Sequence, residues 1–260
     1  VPFHAWSPDV YQGAPTAITG FMAAATKVAA FGAILRIFYV SFANAEWQWK
    51  PAMVVIAIIT MVFGSVVAIA QRDVKRMLAY SSIAHAGFLL AGVIALSKTG
   101  LEASIFYLFA YGVATVGAFG IVTLVRDASG EVGDLNRWSG LGKRAPLLAS
   151  AFAFFLLAFA GIPLTSGFIG KFSIFSAAYE SGSTSILIAG VLSSAVAAFF
   201  YIRVIVLMFF KDPIEDGTSV VIPSALTTIT ITVSAVLTLI LGIYPAPLID
   251  FIATTATFIR

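Results

Sequence analysis

Cysteine is absent from this chain and charge is scarce, with Asp, Glu, Lys and Arg together making up 10% of 260 residues. Without cysteine there is no disulfide, no thiolate metal site and no cysteine-ligated iron–sulfur cluster, so any redox chemistry belongs to a partner. Soluble domains carry ~25% charged residues. The low charge, with 60% hydrophobic residues and a mean hydropathy of +1.01, excludes such a domain and implies an integral membrane protein. The net charge of +3 is too small and too scattered to favour nucleic acid. Phosphate loops, dinucleotide fingerprints and nucleophile elbows are missing. His4 has only Asp9 as a nearby carboxylate, a spacing that matches no metal motif. The opening VPFHAWSPDV shows neither an initiator Met nor a signal-type pattern, and the expectation is the C-terminal portion of a longer protein.

What is present is a series of long apolar runs. They do not alternate residue by residue, as barrel strands would, so they read as helices. The fold class expected is all-α: a polytopic membrane helix bundle of about seven spans. The spans lie at roughly 16–41, 52–71, 76–97, 102–126, 146–179, 184–210 and 222–244, each near the ~20 residues a bilayer requires. The fifth is too long for one straight crossing. Gly161, Pro163 and Gly167 interrupt it within GIPLTSG, which predicts a broken helix restarting near Thr165 or Ser166.

The connections at 71–76, 126–145 and 203–219 hold most of the cations, including Arg72, Lys75, Arg76, Arg137, Lys143, Arg144, Arg203 and Lys211. The opposite side has only Arg36, Lys50, Lys98 and Arg260, so the positive-inside rule places the first set in the cytoplasm. Trp47, Trp49 and Trp138 fall at expected interfaces. Lys75 and Arg76 read as interface anchors, and Arg36 and Arg203 as side chains that snorkel to the headgroups. The 126–145 loop is the largest piece outside the bilayer.

Two lysines stand where a lipid-embedded chain tolerates them least. Lys27, in GFMAAATKVAAFGAIL, is about eleven residues into its span, near mid-depth. Lys171 follows the helix break by about one turn, where freed carbonyls and water can solvate a charge. A charge at the centre of a span costs roughly 2.5–3.5 kcal/mol on insertion scales. Residues that costly usually face an interior cavity and move ions or protons; a structural ion pair is the bland alternative. His85 lies mid-span, with Ser81 and Ser82 on the same helical face, and imidazole can relay protons through either ring nitrogen. A core histidine satisfied by a serine is the competing reading. Tyr107, Tyr111 and Thr115 form a stripe at helical spacing, either packing or the lining of a wet path. Apart from Glu102 and Glu180 near span ends, the spans lack carboxylates, so an acidic partner for Lys27 at depth must come from outside this chain.

VPFHAWSPDVYQGAPT, AAATKVAAFG, QRDVKRMLAYSSIAHAGF and AGIPLTSGFIGKF, in this order, resemble subunit N of bacterial NADH–quinone oxidoreductase, respiratory complex I. The resemblance covers essentially the whole chain. It implies an antiporter-like fold of two inverted five-helix repeats, with residues 1–51 ending the first, 52–210 forming the second, and 211–260 the final helix and C-terminus. It implies proton translocation through Lys27, His85 and Lys171, coupled to electron transfer from NADH to quinone in other subunits. NADH, FMN, iron–sulfur clusters and quinone would be bound by those partners and no cofactor by this chain. Its surroundings would be other membrane subunits of the complex, the lipid bilayer, protons and channel water, in the bacterial plasma membrane. A multisubunit sodium/proton antiporter subunit shares the general plan and is the alternative. A purely structural scaffold is the rival from another class.

Overall fold

The computed structural model describes residues 1–128, 130–213 and 218–256. A short amphipathic helix, α1 (Trp6–Gly13), precedes a composite first span: α2 (Thr16–Phe21), a π-helical turn (Met22–Thr26), α3 (Lys27–Arg36) and a second π-helical turn (Ile37–Ser41). Then come α4 (Glu46–Ile69), α5 (Val74–Ala95) and α6 (Lys98–Val122). On one face the chain forms β1 (Val125–Asp127), β2 (Gly130–Glu131) and α7 (Leu141–Arg144), before α8 (Pro146–Ala160) and α9 (Ser166–Glu180). The last elements are α10 (Thr184–Phe210), β3 (Ser219–Val220), α11 (Ala225–Ile243) and α12 (Ala246–Thr255).

Six helical segments among the described residues are long and apolar enough to cross a bilayer, and α8 with α9 makes the seventh, broken span. The break is where the sequence places it. Pro163 cannot continue a helix, Gly161 ends α8 at φ +84°, and Thr165 caps α9 by accepting from the Phe168 amide at 3.4 Å. Three features differ from the sequence reading. The first span is not a uniform α-helix. The last predicted helix is followed by α12, set off by Pro245, which the seven-span reading omits. The third is a small sheet at the 126–145 loop, which an all-α reading does not include: β1 pairs antiparallel with both β2 and β3.

The three cation-rich connections converge, as the charge pattern predicts. Val74 donates its amide to Gly133, Leu135 to Arg72, Gly140 to Leu207 and Val221 to Leu124, and Lys143 pairs with Asp212 at 2.8 Å. The Lys143 ammonium holds the Asp212 carboxyl below its ordinary range. Arg203 does not snorkel. It is half-buried and donates to the carbonyls of Ile69 at 2.5 Å and Gln71 at 2.8 Å, capping α4. Trp138 is not an interface residue either; it is fully buried, its indole donating to Val132 at 3.1 Å, whereas Trp47 is exposed. Arg260 lies outside the described residues.

α5 is the axle of the bundle, with 83% of its most apolar window buried against 17% for α11. Small residues let α4 lie close: a Cβ on Gly87 would meet the Met61 amide nitrogen at 2.8 Å, and one on Gly64 the Ala84 amide nitrogen at 2.6 Å. Two apolar cores stack along α5. One includes Val74, Met77, Leu78 and Ala79, and the other Ala84, Phe88 and Leu89 through Ile94. Between them the helix presents Ser81, Ser82 and His85, all buried.

Candidate functional site

The polar level of α5 is where the predicted residues gather. Lys27 leaves the π-helical turn Met22–Thr26 as the first residue of α3 and points at α5. Such turns are rare and recur at functional sites. Its Nζ donates to the carbonyl and the hydroxyl of Ser82, both at 2.8 Å, and lies 4.0 Å from the ring centroid of Tyr111. The charge is thus solvated by oxygens and an aromatic face, with no carboxylate in contact. A cavity of about 390 Å³ opens beside it, with Ser7, Tyr11, Thr26 and Thr60 in its wall.

His85 is 2% exposed and makes no hydrogen bond to either serine. Its Nδ1 lies 2.6 Å from the Tyr107 hydroxyl and its Nε2 3.3 Å from that of Tyr201. A neutral imidazole has one donor and one acceptor nitrogen, so one tyrosine donates to the ring and the other accepts from it. Tyr201 also shares a hydrogen bond with Ser81, so the serine reaches the histidine through a phenol. The Tyr111 ring lies tilted with its centroid 4.6 Å from that of the imidazole, which puts it against both Lys27 and His85. Tyr107 and Tyr111 therefore belong to the cluster. Tyr201, hidden in the apolar run AFFYIRVI, had no sequence signal beyond being a polar atom in a buried stretch.

Lys171 is 4% exposed. Its Nζ donates to the carbonyls of Phe159 at 2.8 Å and Ala160 at 3.0 Å, and to the Ser194 hydroxyl at 2.8 Å. Those carbonyls end α8, where helical partners run out and the helix dipole is negative. The helix break thus supplies the cation's ligands. Phe88 and Phe159 stand between Lys171 and His85. The Lys171 ammonium is 4.9 Å from the Phe88 centroid, and the His85 ring lies 5.6 Å from Phe88 and 5.8 Å from Phe159. Tyr107 spans the same gap on another side, packing on Gly170, the neighbour of Lys171. A second cavity, of about 270 Å³, lies along Lys171 and Ser194.

Among the described residues no group of three or more His, Cys, Asp or Glu side chains could hold a metal ion. Chemically, the arrangement is two deep ammonium groups joined across the bundle by hydroxyls, a buried imidazole and aromatic faces.

Residues 1–197 match the family of NADH:quinone oxidoreductase/Mrp antiporter transmembrane proteins. The chain belongs to that family. Among its curated relatives, NADH-quinone oxidoreductase subunit N 3 of Streptomyces griseus is 61% identical over 260 residues, which are all of this chain and 47% of that protein. Subunit N of Rhodococcus opacus is 59% identical, over all of this chain and 48% of its own length. The chain spans about half the length of these relatives. Their name is that of the subunit the four motifs resemble. In respiratory complex I of Thermus thermophilus a chain superposes with a TM-score of 0.84 at 34% identity, covering 96% of this chain and 54% of the other. A chain of the Mrp complex from Dietzia sp. DQ12-45-1b gives 0.85 at 25% identity, covering 98% and 55%. This family member is a multi-span membrane protein with the antiporter-like fold, and its apolar helices fit the bacterial plasma membrane.

Proposed function

We propose that the chain is the proton-carrying portion of a subunit-N-type component of NADH–quinone oxidoreductase, in which Lys27, His85 and Lys171 carry the proton. The observation that supports this most is the polar level between the two cores. Lys27, Ser82, Tyr111, His85 and Tyr107 are in continuous contact, and Tyr107 abuts the helix of Lys171. A cation there would be costly if it only stabilised the fold, and each of these groups can give up or accept a proton.

In this reading a proton leaves Lys27 past Tyr111 toward the His85 cluster and is passed on to Lys171, with water bridging the gaps. His85 suits the middle position because phenols contact both ring nitrogens, so a proton can arrive at one and leave from the other. Lys171 rests on α8 carbonyls that can hold its charge while it waits. Electron transfer from NADH to quinone takes place in other subunits, which bind FMN, iron–sulfur clusters and quinone, and biases the charge states of this row. Residues 52–210 form the second five-helix repeat, 1–51 the end of the first, and 211–260 the final helix and C-terminus. Protons and channel water are the immediate partners, and further membrane subunits flank the bundle.

The test is Lys171→Met in the assembled complex, read as protons moved per NADH oxidised in sealed vesicles. A sharp drop with assembly retained supports the assignment, and an unchanged ratio removes Lys171 from the path. A sodium/proton antiporter subunit is the second reading, favoured by the likeness to the Dietzia Mrp complex. It requires exchange that needs no NADH and depends on sodium.

A further inference from the structure

Lys75 is buried, as Lys171 is, and the sequence reading treats it as an interface anchor. It is the second residue of α5 and is 8% exposed. Its Nζ donates to the Ala14 carbonyl at 2.9 Å and lies 3.6 Å from Glu131. Glu131 comes from β2, in the extramembrane hairpin, and is folded back against the start of the first span. It accepts from the Thr16 amide at 3.3 Å and from the Thr16 hydroxyl, and Arg126 approaches its other oxygen at 3.7 Å. A carboxylate therefore does reach one buried lysine of this bundle. It arrives from a loop rather than from a span.

The pair stands directly below Lys27. Ser82, the hydrogen-bond partner of Lys27, is seven residues beyond Lys75 on the same face of α5, roughly 10 Å at ~1.5 Å per residue. Tyr11 is buried on α1, three residues before the Ala14 carbonyl that Lys75 bonds, and shares a cavity wall with Ser82. Tyr11 and Ser7 both line the 390 Å³ cavity beside Lys27. The order from the cation-rich face inward is Glu131, Lys75, Tyr11, Ser82, Lys27.

We propose that Glu131 and Lys75 are the proton-uptake pair that feeds Lys27 from the cation-rich face. This rests on the proton-carrying reading above. A proton taken from solvent neutralises the Glu131 carboxylate and weakens its hold on Lys75. Lys75 then releases one proton toward the Tyr11 and Ser82 hydroxyls, across bridging water, and neutral Lys27 accepts one from Ser82. Glu131 returns its proton to Lys75. One proton has moved inward and the pair is restored.

A mere clamp between α5 and the hairpin would look similar, and the neighbouring Arg76–Asp9 pair supplies the control, since it also ties α1 to α5. The experiment uses the assembled complex in sealed vesicles and compares protons moved per NADH in Glu131→Gln, Lys75→Gln, Arg76→Gln and Lys171→Met. Uptake through this pair predicts that Glu131→Gln and Lys75→Gln lose as much as Lys171→Met, that Glu131→Asp recovers the ratio, and that Arg76→Gln retains it. A parental ratio in Glu131→Gln alongside a loss in Lys171→Met overturns the uptake pair and leaves the proton-carrying reading standing. Equal losses in Arg76→Gln and Glu131→Gln, or failed assembly in both Glu131→Gln and Lys75→Gln, make the pair a clamp and also overturn it. A parental ratio in Lys171→Met refutes the underlying reading itself.

Discussion

Nδ1 of His85 and the hydroxyl of Tyr107 lie 2.6 Å apart, just under the usual range for nitrogen and oxygen, with both side chains at most 2% exposed. The histidine is held from α6 on this side and from α10 on the other, so its ring plane is fixed by two helices that are distant in sequence.

Tyr107→Phe leaves a buried ring nitrogen without a partner, which costs about 1–3 kcal/mol. The Tyr201 contact is longer, at 3.3 Å, so Tyr201→Phe takes less from the histidine but also deprives Ser81 of its partner. Both variants lower the thermal midpoint of the purified complex. Proton carriage through His85 adds a second effect, with Tyr107→Phe moving fewer protons per NADH. A stability loss with an unchanged ratio would confine Tyr107 to packing.

Gly161→Ala strains the helix break directly. The residue sits at φ +84°, which costs a non-glycine residue about 1–2 kcal/mol, and the new methyl would stand 2.9 Å from Cδ of Lys171. The second term exists only while the lysine is present. A double-mutant cycle on the thermal midpoint with Lys171→Ala, which removes Cδ, should therefore show non-additivity, Gly161→Ala costing less where the long side chain is gone. Additive shifts would mean that Gly161 serves the backbone alone.

Helical periodicity, depth and the GIPLTSG interruption carried most of the bundle, because those signals are local. They placed Lys27, His85 and Lys171 within spans and located the break within GIPLTSG. What stayed hidden depends on contacts between distant segments. Tyr201 is more than a hundred residues from His85, and nothing in AFFYIRVI says which face meets α5. Glu131 looks like an ordinary loop acid until β2 folds back on Thr16. Trp138 and Arg203 carry typical interface chemistry, and only the packing of the three loops buries one and turns the other onto the end of α4. The π-helical turn before Lys27 has no pattern that apolar periodicity could register, since Ala-rich sequence suits either geometry.

Arg203→Met tests the capping role. Two charge-assisted bonds, to the Ile69 and Gln71 carbonyls, disappear, and a charged hydrogen bond contributes about 1.5–3 kcal/mol. The thermal midpoint falls accordingly. Arg203→Lys recovers only part, because one ammonium lacks the planar fork that reaches both carbonyls. A snorkelling arginine predicts no loss in either variant, so an unshifted midpoint in Arg203→Met would restore that reading.

Lys27→Met separates a proton carrier from a scaffold, because stability and activity respond differently. The substitution frees the Ser82 carbonyl and hydroxyl, at a cost of about 1–3 kcal/mol, and loses the contact with Tyr111. It also removes the desolvation of an ammonium group, a penalty of several kcal/mol for a buried ion. The opposing terms are of similar size, so the thermal midpoint moves little in either direction. A scaffold would then keep its protons per NADH, since nothing structural has been lost. A carrier loses them, because methionine has no exchangeable proton at the position where α3 meets the polar level of α5. The decisive result is therefore a complex with a near-parental midpoint and a collapsed proton ratio. A near-parental value of both would make Lys27 a tolerated cost rather than a working group.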